Sequence, residues 1–176
     1  MPAGSIAELV SRHVRDVPDY PKPGVVFKDI TPLLADGPAF SAVVSALADR
    51  YADRVDAVVG IEARGFVFGA PLAIALGVGF VPVRKAGKLP GDILGASYDL
   101  EYGSAQIEVQ ADAFRPGQRV VVLDDVLATG GTAASACELV ERAGALVTEF
   151  AVVLELGFLA GRDRLSGRSV HSLLLV

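Results

Sequence analysis

One stretch, residues 120–133, limits the possible folds of this chain more than any other. It begins as an apolar run, reaches adjacent carboxylates at Asp124 and Asp125, and passes through small residues and glycines into a helical pattern. At such a strand-turn-helix junction backbone N–H groups converge, the helix dipole is positive and glycine permits close approach, so the turn can hold a phosphate. The two acids cannot bind phosphate, but they can accept hydrogen bonds from two sugar hydroxyls. The stretch therefore predicts a sugar-phosphate site.

The hydrophobic pattern alternates between helix and strand along the whole chain. Helices are predicted over residues 4–16, 40–51, 65–76 and 132–143, and strands over 55–60, 78–83, 105–109, 119–124, 147–155 and 170–176. Repeated βα units with largely apolar strands predict an α/β fold, with a parallel sheet covered by helices on both faces. Ligands in such sheets bind at the carboxyl ends of the strands.

Two segments interrupt this alternation within what we expect to be one domain over residues 1–176. Residues 17–37 form an arm punctuated by proline and glycine, so 1–37 is predicted to be an N-terminal helix followed by an arm. Residues 84–106 are polar and rich in glycine, which indicates a flexible, partly exposed loop region.

Composition excludes several classes of protein. An apolar fraction of 52% and a mean hydropathy of +0.47 argue against disorder. No apolar run is long enough to cross a bilayer, and the first residues lack the features of a signal peptide. A net charge of −5 gives no footprint for nucleic acid, so an anionic ligand must be held by local cations. The single cysteine, Cys137, fits a reducing cytoplasm.

Other phosphate-binding motifs fit poorly. No stretch matches the P-loop pattern of nucleoside triphosphatases. A dinucleotide fingerprint beginning at Gly77 fails because Pro82 occupies the position of its third glycine. A phosphoryl-accepting aspartate would need further acids to hold magnesium, and helix capping by an aspartate leaves the following Thr/Gly turn unexplained. The sugar-phosphate interpretation is thus favoured on the residues alone.

Five segments together resemble the adenine-using members of the type I phosphoribosyltransferase family. Residues 123–132 resemble the family's motif for 5-phosphoribosyl-1-pyrophosphate (PRPP), and residues 61–66 resemble its pyrophosphate loop. Residues 23–32 resemble its base-recognition arm, while 84–90 and 96–103 resemble its flexible catalytic loop. The resemblance covers the chain in order, and it implies a type I phosphoribosyltransferase-like sheet with an N-terminal hood.

The resemblance also implies a reaction and its participants. Adenine and PRPP would give AMP and pyrophosphate in purine salvage, with inversion at the anomeric carbon. Mg²⁺ would be held mainly by PRPP and pyrophosphate, because it prefers phosphate oxygens and water, and we assign it no protein ligand. A homodimer is implied, because part of the loop's basic cluster can reach a neighbouring subunit's site in this family. Neither nucleic acid nor membrane is an expected partner.

Each part of the substrates has predicted contacts. For the ribose hydroxyls they are Asp124 and Asp125, and for the 5-phosphate they are Ala128, Thr129, Gly130, Gly131 and Thr132. Phe27 would stack on the purine, the backbone of Val26 and Lys28 would read its Watson–Crick edge, and Leu127 would pack against its opposite face. A backbone reader would discriminate against a 6-oxo purine, which presents a donor where adenine presents an acceptor.

Cations and one carboxylate complete the predicted chemistry. Arg64 would bind pyrophosphate bidentately, with Glu62 either orienting it or acting as a spectator, and the family often has a non-proline cis peptide in this loop. Arg84, Lys85 and Lys88 form a basic cluster on a glycine-rich loop, with Lys88 on a lid over pyrophosphate and with Arg84 and Lys85 nearer the phosphate. The predicted general base or proton relay is Glu101, and Tyr102 would contact the leaving pyrophosphate.

Two alternatives to an adenine-specific enzyme stay open. One is an enzyme for xanthine, hypoxanthine or uracil, against which the sequence of the arm argues. The other is a regulator that binds PRPP without catalysis, against which the lid cations and Glu101 argue. His13, His171 and Cys137 are predicted to be structural, since each lies in a helix or strand pattern.

Overall fold

The computed structural model describes residues 4–99 and 104–176. Its helices are α1 (Ile6–His13), α2 (Thr31–Ala35), α3 (Gly37–Tyr51), α4 (Arg64–Leu76) and α5 (Gly131–Arg142). Its strands are β1 (Arg15–Pro18), β2 (Val26–Asp29), β3 (Ala57–Ile61), β4 (Gly79–Lys85), β5 (Ile93–Asp99), β6 (Ser104–Gln110), β7 (Arg119–Leu127), β8 (Leu146–Glu155) and β9 (Val170–Leu175). Two short 3-10 helices, Gly157–Leu159 and Gly161–Leu165, lie between β8 and β9.

The central sheet has seven strands in the order β5-β6-β4-β3-β7-β8-β9. Strands β4, β3, β7, β8 and β9 are parallel, whereas β6 runs antiparallel to both β4 and β5. Residues of α5 pack on one face, and residues of α1, α3 and α4 pack on the other. This arrangement confirms the predicted α/β class with a largely parallel, helix-covered sheet.

Strand β7 shows how the sequence pattern builds both halves of the core. Val120 and Val122 pack with α5, and Val121 and Leu123 pack with the helices of the opposite face. All four are fully buried, as expected of an apolar strand covered on both sides. The strand runs to Leu127, three residues beyond the predicted end, so Asp125 lies within it together with Asp124.

Part of the predicted flexible loop region is regular structure. Residues 93–99 and 104–110 form the antiparallel pair β5–β6, of which only residues 105–109 were predicted as a strand. The β6 residues Ile107 and Val109 are buried, while Leu94 and Ala96 of β5 pack against the same core. This alternation is short and contains Gly95, so it gives a weak strand pattern.

The arm is a two-stranded antiparallel sheet followed by a short helix. Helix α1 ends at His13, earlier than predicted, because Val14 is already extended and leads into β1. Strand β1 then pairs with β2 from Arg15–Asp29 to Pro18–Val26. The turn between them contains a cis bond before Pro21 and a backbone hydrogen bond from Tyr20 to Val25 at 3.2 Å. These pairings give the arm a defined shape.

Candidate active site

The turn between β7 and α5 is shaped to receive an anion. Gly130 has a φ of +82°, which a residue with a side chain rarely adopts, and the twelve-residue helix α5 starts at the next residue. A cavity of about 90 Å³ opens at this turn and is lined by Asp124, Val126, Leu127, Ala128, Thr129, Gly130, Gly131, Thr132 and Ala133. All five residues predicted to contact the 5-phosphate are therefore around one cavity at a helix N-terminus.

Asp124 and Asp125 bring two carboxylates to the end of the sheet with few donors around them. Asp124 Oδ1 accepts a hydrogen bond from the Asp125 backbone N–H at 2.8 Å. Burial, together with the charge of Asp125, raises the pKa of Asp124 well above its usual range. Asp125 Oδ2 is 2.8 Å from Arg64 Nε, yet this buried oxygen has no donor aligned for a hydrogen bond. Both acids retain capacity to accept hydrogen bonds from a ligand.

Arg64 reaches these acids because helix α4 starts very close to β7. A Cβ at Gly65 would lie 2.6 Å from the Leu123 carbonyl oxygen and 3.3 Å from Asp124 Cα, so glycine is required for this approach. The preceding Glu62–Ala63 peptide is cis. Arg64 is an ion-pair partner of Asp125 here and lies over the Phe27 ring, 5.6 Å from its centroid. The guanidinium thus lies between the acids and the arm.

A second cavity lies between the arm and β7. It measures about 330 Å³ and is lined by Val25, Val26, Phe27, Lys28, Arg64, Asp124, Asp125, Val126, Ala128 and Leu156. Phe27 contacts Tyr20 edge to face, with 5.2 Å between the ring centroids. Lys28 Nζ lies 2.7 Å from Asp16 Oδ1, so this cation is paired with the neighbouring strand of the arm. The cavity therefore offers an aromatic ring, apolar side chains and strand backbone to a flat ligand.

The predicted basic cluster is gathered around Glu62. Lys88 Nζ lies 2.5 Å from Glu62 Oε1, and Arg84 Nε lies 3.3 Å from Oε2. Hydrogen bonds from Lys88 and from the Lys85 backbone N–H lower the pKa of Glu62 to about 2. The possibility that Glu62 orients Arg64 is wrong for this structure, because its carboxylate is occupied by Arg84 and Lys85 at the end of β4 and by Lys88 on the loop that follows.

Comparisons with known proteins agree with this arrangement. Residues 33–171 match the model of the phosphoribosyl transferase domain. An adenine phosphoribosyltransferase of Acidothermus cellulolyticus is 60% identical over 177 residues, covering 100% of both chains. The chain belongs to the adenine phosphoribosyltransferase family.

Solved structures of the adenine phosphoribosyltransferase family extend the match to three dimensions. The enzyme of Thermoanaerobacter pseudethanolicus has a TM-score of 0.92 at 48% identity, with 97% of this chain and 99% of that chain covered. The Saccharomyces cerevisiae enzyme, crystallised with adenine and an imino-altritol bisphosphate, has a TM-score of 0.91 at 42% identity, with 96% and 98% covered. This chain is accordingly a transferase with the family's fold.

One predicted adenine contact of this family member is wrong by a single residue. Leu127 is 1% exposed and packs in the core beside α5, so its side chain cannot cover a base. Successive side chains of a strand point to opposite faces, and Val126 instead lines the cavity next to the arm. Counting in steps of two from Asp124 would have found Val126.

Sequence reasoning also missed the segment after β8. Leu156 lines the cavity beside the arm, and Phe158 and Leu159 line an adjoining groove together with Val26 and Thr129. The sequence of this segment contains no recognisable phosphate or nucleotide motif. Its place at the carboxyl end of the strand next to β7 is the signal that links it to the site.

Several remaining predictions concern residues away from these cavities or outside the described part of the chain. Glu101 and Tyr102 lie outside the described residues. His13 Nδ1 is 2.8 Å from the Leu9 carbonyl oxygen, and Cys137 is fully buried in α5, where burial raises the pKa of its thiol to about 12. Burial also lowers the pKa of His171. All three belong to the framework of the fold.

Residues 4–99 and 104–176 contain neither a metal-binding cluster nor a membrane-spanning helix. Nowhere in these ranges do three or more His, Cys, Asp or Glu side chains gather so that they could hold a metal ion. Among the same residues, no helix combines the length and apolar character needed to cross a membrane.

Proposed function

We propose that this family member transfers the 5-phosphoribosyl group from PRPP to adenine, with AMP and pyrophosphate as products. The observation that carries the proposal is that the two cavities share a wall: Asp124, Val126 and Ala128 line both of them. A phosphate at the α5 end and a base beside the arm would then lie on either side of one ribose. The adenine in the crystals of the yeast relative agrees with this assignment of the base.

The two acids would act on the ribose. Asp125 Oδ2 lacks an aligned donor and Asp124 has one, so the 2′- and 3′-hydroxyls can donate the missing hydrogen bonds. Departure of pyrophosphate leaves positive charge on the sugar ring, and fixed carboxylates beside it stabilise that charge without needing to reorient. The same site must exclude water, which would hydrolyse PRPP.

The departing pyrophosphate would be neutralised by the basic cluster around Glu62. Lys88 and Arg84 are paired with Glu62, and the Lys85 backbone donates to the same carboxylate. Pyrophosphate carries more negative charge than Glu62 and would attract these donors when it is bound. The family's Mg²⁺, held through PRPP, would add positive charge on the same oxygens. Glu101 stays the proposed general base, with Tyr102 beside the leaving group.

Specificity for adenine would come from the arm. Val26 and Lys28 are two residues apart on β2, so their backbone groups point to the same side of that strand. With this spacing, a backbone N–H can donate a hydrogen bond to one purine atom while a backbone carbonyl accepts one from a neighbouring group of the base. Phe27 and Val126 supply apolar surface to the ring.

Incubation of the purified chain with PRPP, Mg²⁺ and a panel of bases tests the proposal. We expect AMP and pyrophosphate from adenine and little product from hypoxanthine, xanthine or uracil. PRPP binding without turnover would support the regulator instead, and a preferred 6-oxo base would support the other enzymes. Within an active enzyme, Glu101→Gln should depress turnover more than PRPP binding; equal losses would remove its assigned role.

A homodimer is part of the proposal, and helix α4 offers a surface for it. Val67 and Ile74 are 37% and 82% exposed, and with Ala63 they lie along one side of the helix that begins at Arg64. A second copy packed there would sit near the pyrophosphate end of the site. Ile74→Asp should shift the sedimenting species toward monomer, while Leu146→Asp, at an exposed leucine elsewhere on the surface, should not.

The cytoplasmic location is likewise retained as a proposal, supported by the single cysteine.

A further inference from the structure

The phosphate turn rests directly on the backbone of the segment after β8. A Cβ added to Gly130 would collide with the Gly161 carbonyl group, and a Cβ added to Gly161 would collide with the Ala128 carbonyl oxygen and the Gly130 nitrogen. Two peptide segments are therefore packed against each other with no side chain between them. The position of Gly161 limits where the turn of residues 128–130 can lie.

Gly161 is in turn held by its neighbour. Arg162 Nε and Nη2 donate to the two carboxylate oxygens of Glu155 at 2.8 and 2.5 Å, and Nη1 donates to the Val170 carbonyl oxygen at 3.0 Å. Ser172 Oγ donates to Glu155 at 2.8 Å. Glu155 is 5% exposed, so its carboxylate is shielded from water, while the Arg162 side chain is half-exposed; the bidentate contact restricts the geometry of the pair.

The ion pair closes a ring of contacts around the phosphate turn. Glu155 ends β8 and is the register partner of Leu127, the last residue of β7 before the turn. The Leu156 backbone N–H donates to the Leu127 carbonyl oxygen at 2.9 Å. Both ends of the supporting segment are thereby fixed relative to the strand that leads into the turn.

We propose that Glu155 and Arg162 are positioning residues for the sugar-phosphate site, which they hold in shape by pressing Gly161 against the turn of residues 128–130. The inference rests on the proposed function for the identity of the ligand. The pair does not touch the ligand itself. Its effect is to keep backbone N–H groups in the geometry that a phosphate requires, because small displacements of such groups are costly in binding and rate.

The test measures equilibrium binding of ribose 5-phosphate to the full-length chain by titration calorimetry. Gly161→Ala should weaken binding by about 100-fold, since its Cβ displaces the turn itself. Arg162→Lys and Glu155→Gln should each weaken it by about 10-fold, as loss of supporting contacts does at other sites. Lysine keeps the charge of Arg162 but cannot make the bidentate contact.

Two matched controls separate positioning from general stability. Gly157→Ala alters a glycine in the same segment whose Cβ would meet only the side chain of Leu175 and a terminal carbonyl. Arg168→Lys alters a second arginine that is bidentate to a glutamate, Glu141, without contact to the turn. Both controls should bind ribose 5-phosphate within about 2-fold of the unmodified chain, the scatter expected of changes outside the site.

A double-mutant cycle decides whether the pair acts through Gly161. If it does, Gly161→Ala with Arg162→Lys should bind no more weakly than Gly161→Ala alone. If the double variant instead lost binding by the product of the two single losses, the inference would be overturned. It would also be overturned if Arg162→Lys and Glu155→Gln both bound ribose 5-phosphate like the unmodified chain while their thermal midpoints matched that of Arg168→Lys. Absence of ribose 5-phosphate binding by the unmodified chain would instead refute the phosphate site, and with it this inference.

Discussion

The buried Glu149 on β8 and the partly to fully buried pair Asp124 and Asp125 on the adjacent strand β7 differ in how well their carboxylates are satisfied. Glu149 accepts hydrogen bonds from Arg50 Nε at 2.6 Å, Tyr51 Oη at 2.7 Å and Ser169 Oγ at 2.7 Å. Burial acts to raise the pKa of Glu149, but the bonds from Arg50, Ser169 and Tyr51 outweigh it and lower the value to about 2. The folded chain therefore stabilises this charge.

Asp124 and Asp125 at the other end of the strands have the opposite character. Burial and mutual repulsion raise the pKa of Asp124, and Asp125 Oδ2 has no aligned donor. The fold thus gives abundant partners to a glutamate that no ligand reaches and withholds them from two aspartates in a cavity. Unsatisfied groups of this kind are tolerated where a ligand completes them, at a cost in stability.

The largest expected effect is on activity at the unsatisfied pair. Asp124→Asn and Asp125→Asn should each lower kcat/KM by about 10²–10³-fold, because each removes negative charge from beside the forming cation. Neither should lower stability as much as loss of Glu149 does. Steady-state kinetics and urea denaturation check both statements. If either variant kept full activity but unfolded easily, the assignment of these acids to function would be wrong.

The next effect is on stability at the satisfied glutamate. Glu149→Gln should lower the free energy of unfolding by about 2–3 kcal/mol. This loss is somewhat smaller than that of a fully buried ion pair, because the Arg50 side chain is partly exposed. The folded enzyme should keep its kcat within about 2-fold, since Glu149 lies outside both cavities.

A matched exposed pair sharpens that prediction. Glu141 forms a similar bidentate contact with Arg168, but at the surface, where such pairs contribute about 0–1 kcal/mol. Glu141→Gln should therefore cost much less than Glu149→Gln. Equal costs would mean that burial does not set the difference between the two glutamates.

This contrast also explains how far the sequence could predict the molecule. The acids and the phosphate turn are consecutive in residues 124–132, so local pattern and helix electrostatics were enough to predict that they lie together, as they do around two adjoining cavities. Glu149 and Arg50 are 99 residues apart, and no local pattern links them. Their pairing depends on how α3 docks on the sheet.

The errors at the site have equally physical causes. Leu127 was assigned to the base because it lies within the resembling PRPP motif, but β7 continues to Leu127 and turns that side chain into the core. Glu62 was considered as a partner of Arg64, its near neighbour in sequence, but the loop after β4 brings Lys88 Nζ to 2.5 Å from its carboxylate. Gly161 lies in no recognisable sequence motif, and only its close contact with Gly130 in the fold links it to the phosphate turn.

A smaller effect is expected from removing one donor of the satisfied glutamate. Tyr51→Phe should cost about 1–2 kcal/mol of stability, because the buried Glu149 loses one charge-assisted hydrogen bond while Arg50 and Ser169 remain. Turnover should not change. In the Glu149→Gln background the same substitution should cost clearly less, since the acceptor charge is already absent. Equal costs in both backgrounds would show that Tyr51 acts through packing alone.

The smallest and most discriminating effect is in the pH dependence of stability. A lowered folded pKa means that the contribution of Glu149 is fully present above its ordinary value of 4.5 and is lost as pH falls toward about 2. The stability gap between the unmodified chain and Glu149→Gln should therefore narrow as pH falls below 4.5.

Asp124 has a raised folded pKa, so its ionisation destabilises the fold as pH rises above the ordinary value of 3.8. Asp124→Asn should accordingly gain stability over the unmodified chain at pH 7, by about 0.5–1 kcal/mol, and lose that gain in acid. Urea denaturation of the three proteins between pH 3.5 and 7 measures both slopes. The unfolding free energy of the unmodified chain minus that of the variant should rise with pH for Glu149→Gln and fall with pH for Asp124→Asn. Slopes of the same sign in these two differences would break the distinction between the satisfied and the unsatisfied carboxylates.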